Sequence, residues 1–138
     1  MLIDKNLNVQ VVNFGLGVCH NVSNLTFQAV LDSFSAPELW EGRNYNGFQV
    51  DIFAVGAVAF AITKGCLPFT KATLPDRFWK LINNQDDGYW LATGSESNST
   101  LFKDIIMAML QRCPEKRAQL PYLLKHPWLF HSFELSHL

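Results

Sequence analysis

The chain has 138 residues, of which 49% are apolar and 13% aromatic, a composition that packs a core and excludes a disordered polymer. Its length suits one domain or part of one. Eleven Lys and Arg stand against 12 Asp and Glu, a formal net charge of −1, which gives no electrostatic reason to expect nucleic acid or an anionic membrane as partner.

Taken in order, the N-terminal residues carry charge too early for a signal peptide. Asn8-Val9-Gln10-Val11-Val12 alternates and is rich in β-branched residues, which predicts one short strand. Asn13-Phe14-Gly15 and Gly17 end it, and residues 18–35 lack a period and read as an extended loop. Pro37 suits the first turn of a short helix. Residues 48–64 are apolar on most faces and stop at Gly65, which predicts a helix buried in the middle of a protein. Its unbroken apolar run, 52–62, is short of the roughly 20 residues that span a bilayer. A helix follows from Pro75 or Asp76 to Ile82, then a polar loop over 94–100. Ser99 or Thr100 caps a helix over 101–110, whose Leu101, Ile105, Ala108 and Met109 share one side. A last helix over 118–125 stops before Pro127.

Cys19, Cys66 and Cys113 are odd in number and far apart, and read as reduced, partly buried thiols of a cytoplasmic protein. The four histidines are scattered without metal-ligand spacing. Trp40, Trp79, Trp90 and Trp128 read as core or rim aromatics.

These pieces, in this order, resemble the second half of a eukaryotic Ser/Thr protein kinase domain, nearest to the calcium/calmodulin-dependent and AMP-activated group. Asn13-Phe14-Gly15 resembles the metal-binding Asp-Phe-Gly, and Ala36-Pro37-Glu38 the Ala-Pro-Glu that closes the activation segment. Asp51-Ile52-Phe53-Ala54-Val55-Gly56 is similar to the start of the family's central helix, and Gly65-Cys66-Leu67-Pro68-Phe69 to its Gly-x-x-Pro-Phe. Arg117 and His126-Pro127-Trp128 match the close of the domain. The resemblance implies a mainly α, partial protein-kinase-like fold: large-lobe helices after the activation segment, with one short strand region at the N-terminus. The domain portion is 1–130 and a C-terminal tail occupies 131–138.

The family's activity is ATP- and Mg²⁺-dependent phosphorylation of Ser or Thr, which rests on a phosphate-binding lysine, metal ions and a base. The small lobe and the His-Arg-Asp catalytic loop would lie upstream of Met1, so no catalytic residue is assigned here and no cofactor is expected for this chain. At the one metal-ligand position that is present, Asn13 offers a neutral carbonyl oxygen where Mg²⁺ relies on carboxylates, so the site formed with Phe14 and Gly15 is degenerate. Apart from the resemblance, Asn13 reads as a loop residue bonding locally. Leu31 stands in place of the usual activation-segment threonine, while Ser23 and Thr26 are candidate phosphorylation sites as well as ordinary loop residues.

Two charged pieces carry structural roles by resemblance. Glu38 pairs with Arg117 in the interior. Asp51, whose family counterpart accepts bonds from the catalytic loop, either caps its own helix or awaits a partner segment. The strand likewise has its ladder neighbours upstream. Three functions follow as expectations: a catalytically silent kinase-like chain, part of an active kinase whose upstream half is not in this sequence, or a non-catalytic protein-binding scaffold. Each implies a protein partner or an upstream kinase half, and none a nucleic acid or a membrane.

Overall fold

A computed structural model describes residues 1–18, 25–26, 30–95 and 97–130. The chain is mainly α. Among the described residues, seven α-helices follow a two-stranded hairpin: α1 (Pro37–Trp40), α2 (Gly47–Lys64), α3 (Arg77–Asn83), α4 (Gly88–Ala92), α5 (Thr100–Met109), α6 (Leu120–Leu123) and α7 (Pro127–Phe130).

The strand predicted at 8–12 finds its partner inside the chain. Leu2–Ile3 (β1) pairs antiparallel with Val9–Gln10 (β2), Leu2 opposite Gln10 and Ile3 opposite Val9. Asp4 builds the turn by accepting from the Asn8 side-chain amide and from the Asn8 and Asn6 backbone amides, and those bonds, the Asn8 side chain's first, hold its carboxyl below the usual carboxylate range. The lone strand of the sequence reading is thus one arm of a short hairpin, closed by Asx chemistry, with Ile3 and Val9 as its β-branched pair.

α2 organises the rest. The Asn46 side chain caps it by accepting from the Gln49 amide, and Gly65 ends it in the left-handed region at φ 71°. Phe53, Gly56, Ala57 and Phe60 form its buried face. Opposite them α5 presents Phe102, Ile105, Ile106 and Met109. Gly56 makes the crossing close: a Cβ there would lie 2.8 Å from the Met109 Cβ and 3.1 Å from the Leu110 Cδ2. At one end Phe53, Phe69 and Trp79 pack with ring centroids 5.2–5.8 Å apart, and at the other Phe60 meets Tyr89 and Phe102. The buried Tyr89 hydroxyl donates to the Pro68 carbonyl, and burial pushes its phenol far above the usual tyrosine range.

The other face of α2 is bare. Phe48 is 72% exposed, Ile62 68% and Val55 54%. A helix apolar all round, expected to be enclosed, is covered by the described residues on one side only. By length and composition alone, at a mean hydropathy of 1.4, it would suit a bilayer. Its Phe53–Phe60 side is nonetheless the centre of the aromatic core.

Two further elements differ from the sequence reading. α4 lies where no helix was predicted, a single turn whose Tyr89 and Trp90 are buried. The helix expected over 118–125 is four residues long, and Pro127 starts α7 instead of ending a helix. Proline is at home in a first turn, where its missing N–H costs nothing.

Candidate functional site

The buried charge pair sits where α1, α2 and the segment after α5 converge. Pro37 starts α1 and turns Glu38 inward in its first turn. Arg117 follows the turn at Pro114–Lys116, and its Nη1 and Nη2 reach Glu38 Oε1 and Oε2 at 2.8 and 3.0 Å. Glu38 is 1% exposed and Arg117 2%. The guanidinium also donates to the carbonyls of Gln49 at 2.7 Å and Gln111 at 3.1 Å, and lies 5.1 Å from the Phe53 ring centre. A paired fork with its remaining donors satisfied is the arrangement that makes a buried ion pair tolerable.

Asn13 adopts a left-handed backbone, φ 66° and ψ 69°, ahead of a 3₁₀ turn over Phe14–Leu16. Asparagine visits this region more readily than most residues. Its side chain makes no capping bond to that turn. Phe14 is 72% exposed. Among the described residues no three His, Cys, Asp or Glu side chains lie close enough to hold a metal ion. One neutral carbonyl oxygen on an exposed turn does not fit a magnesium–nucleotide group, and no chemical step is derived through one.

Asp51 has no hydrogen bond or ion pair among the described residues. Asn46 caps α2, which removes one of the two roles left open for Asp51. Its surface is open, yet the atoms around it displace enough water to raise its carboxyl above the ordinary range. It belongs to the helix whose Phe48, Val55 and Ile62 are bare.

Of the activation-segment candidates, Thr26 is exposed and Ser23 lies outside the described residues, as does Cys19. Leu25 and Tyr45 exchange backbone bonds of 3.0 and 3.1 Å, which tie that segment to the approach to α2. Leu31 is exposed beside the turn at Asp32–Phe34. Cys66 and Cys113 are free and exposed, where partial burial was expected.

Sequence reasoning missed the role of His126. The ring is buried, Nε2 lies 2.9 Å from Asp104 Oδ2, and Nδ1 accepts from the Trp128 amide at 3.2 Å. Tyr122 donates to the same Asp104 oxygen at 3.1 Å. Asp104 sits 22 residues before His126, on the outer side of α5, so only the helical register links it to the ring.

The model of the protein kinase domain matches residues 1–129. The maternal embryonic leucine zipper kinase of Xenopus laevis is 29% identical over 138 residues, covering 96% of this chain and 20% of that protein. The serine/threonine protein kinase OSK3 of Oryza sativa subsp. indica is 30% identical over 129 residues, covering 93% of this chain and 24% of that protein. The chain therefore spans about a fifth to a quarter of the length of these relatives. With the Glu38–Arg117 pair and the α2 core at the matching motifs, this chain belongs to the protein kinase domain family.

Proposed function

We propose that this chain is the large-lobe portion of a Ser/Thr-kinase-like domain that transfers no phosphoryl group by itself and works joined to another polypeptide segment. The observation that carries this is the bare face of α2, on which Phe48, Val55 and Ile62 are exposed while Asp51 on the same helix has no partner among the described residues. An apolar strip with one acceptor fits a chain segment that brings apolar side chains and hydrogen-bond donors. The kinase half that precedes this region in longer relatives has that chemistry by family resemblance. Asn13 in place of a carboxylate supports the silent form of such a domain, a non-catalytic scaffold, over an active one.

The test has two arms. Thermal shift of the chain with ATP and Mg²⁺ is expected to show no stabilisation, because a ligand raises the midpoint only where the folded state binds it. A metal-dependent rise would reinstate nucleotide chemistry within these residues. Co-expression with the kinase segment that precedes the matching region in OSK3 is expected to yield a soluble complex that Phe48→Ser with Ile62→Lys breaks. A complex with measurable transfer to a Ser peptide, lost in a variant of the OSK3 segment's own catalytic base, would select the active-kinase reading instead.

A further inference from the structure

His126 directly precedes α7, and its ring nitrogen Nδ1 accepts from the Trp128 amide at 3.2 Å. That is the bond an N-cap side chain makes to the second residue of a helix, with a nitrogen in place of the usual oxygen. The other ring nitrogen, Nε2, lies 2.9 Å from Asp104 Oδ2. A carboxylate only accepts and a backbone N–H only donates, so the two bonds together place the single ring proton on Nε2. At 3% exposure the ring has little water to replace either bond.

An imidazole cap differs from an oxygen cap in one respect. An amide oxygen accepts at every pH, whereas Nδ1 accepts only while it carries no proton. A second proton turns Nδ1 into a donor that faces the Trp128 N–H, at a helix N-terminus whose free amides disfavour a cation. The same proton strengthens the opposite side of the ring, because Nε2–H then meets Asp104 as a charge-assisted pair. The ring keeps α5 and loses α7.

The neighbouring groups leave this balance in place. Tyr122 of α6 meets the ring edge-on, 5.6 Å between centres, and donates to Asp104 Oδ2 at 3.1 Å. Burial and that bond hold its phenol above the usual tyrosine range, so it remains a donor. Lys103, beside Asp104 on α5, lies 5.7 Å from the Trp90 ring centre. Lys125 precedes the ring in the chain, and α7 itself carries no titratable side chain. What the cap holds down is Trp128, whose ring centre lies 5.6 Å from that of Phe102, a residue of the aromatic core.

We propose that His126 is a proton-sensitive cap: neutral, it fastens α7 onto α5, and protonated, it keeps Asp104 and lets Trp128 come away from Phe102. The device needs no ligand and is separate from the bare face of α2.

The test is NMR of the full chain carrying Phe48→Ser and Ile62→Lys, exposed positions on the helix face turned away from α5. At about pH 7.5 the ring nitrogens of His126, identified by their loss in His126→Asn, are expected to show the Nε2–H tautomer. As the ring takes its second proton, protection of the Trp128 amide against hydrogen exchange, relative to the unfolded rate at each pH, is expected to fall about fivefold, the effect of losing an ordinary N-cap. His126→Asn, whose side-chain oxygen accepts without titrating, is expected to hold that protection constant. Asp104→Asn can still accept from Nε2–H but offers the imidazolium no charge, and is expected to move the loss about one pH unit lower. The proposal is overturned by an Nδ1–H tautomer near neutral pH, by a ring that takes no proton above about pH 5, or by Trp128 protection that ignores the ring's protonation. The same pH response in His126→Asn would also overturn it. Should that variant not fold, an unmoved midpoint in Asp104→Asn does so instead.

Discussion

Arg117 holds three parts of the chain at once: the Glu38 carboxylate, the Gln49 carbonyl inside α2 and the Gln111 carbonyl beyond α5. Arg117→Ala leaves a buried carboxylate without its countercharge, a loss of about 3–5 kcal/mol. That is a large share of a small domain's stability, so urea denaturation is expected to show a lost or much earlier cooperative transition. A midpoint that barely moves would mean that the pair holds nothing together. Asp51 predicts the opposite sign. Its folded-state carboxyl is raised above the unfolded value of 3.8, so ionising it opposes folding, and the penalty appears as pH rises through the folded value. Asp51→Asn is therefore expected to raise the thermal midpoint of the isolated chain at neutral pH. The two proteins should converge below about pH 4, where both states are protonated. Equal midpoints at pH 7 would show the carboxylate to be comfortably solvated or paired. Glu38 and Arg117 were legible because motif and spacing mark both positions. Asp104 was not, because nothing in its neighbours marks a carboxylate that reaches back from a helix surface to a distant imidazole.

The helices that sequence placed well are those whose period and caps agree. α2 has an apolar run with Gly65 behind it, and α5 has its stripe with Ser99 accepting from the Phe102 amide. Gly65 tests this account cleanly. Its φ is 71° and no atom lies within 4 Å of an added Cβ, so Gly65→Ala probes backbone conformation alone. The expected loss is about 1 kcal/mol in chemical denaturation. Gly56→Ala is the contrasting case, with an unstrained helical backbone but the Met109 Cβ only 2.8 Å away. Pushing α5 outward is expected to cost about 1–3 kcal/mol, and more than Gly65→Ala in the same assay. α4 and α7 escaped the sequence because a single turn has too few residues to show a period. The hairpin escaped because its first strand is two residues long, and its register comes from the Asp4 turn.

Across the whole molecule, burial is uneven. The aromatic core around Phe53 and Phe60 is closed, while most apolar side chains of residues 1–18 and the outer face of α2 are open. Exposed apolar area of this extent drives association. Gel filtration of the isolated chain is expected to give large species, and Phe48→Ser with Ile62→Lys is expected to move material toward the monomer without lowering the melting temperature. A parent chain that already elutes as a monodisperse monomer would remove that expectation. Composition and motif order made the closed core legible, but how far α2 is covered depends on what lies against it, which no local pattern encodes. The long reach of Arg117 also bears on synthesis. A ribosome delivers Glu38 and all of α2 well before residue 117, so every nascent chain passes through a stage in which its central carboxylate is present and its countercharge does not yet exist. Docking of α2 onto its neighbours is then a late event, and chains stalled before Arg117 should remain as protease-sensitive as an unfolded polypeptide, however much helix they already contain.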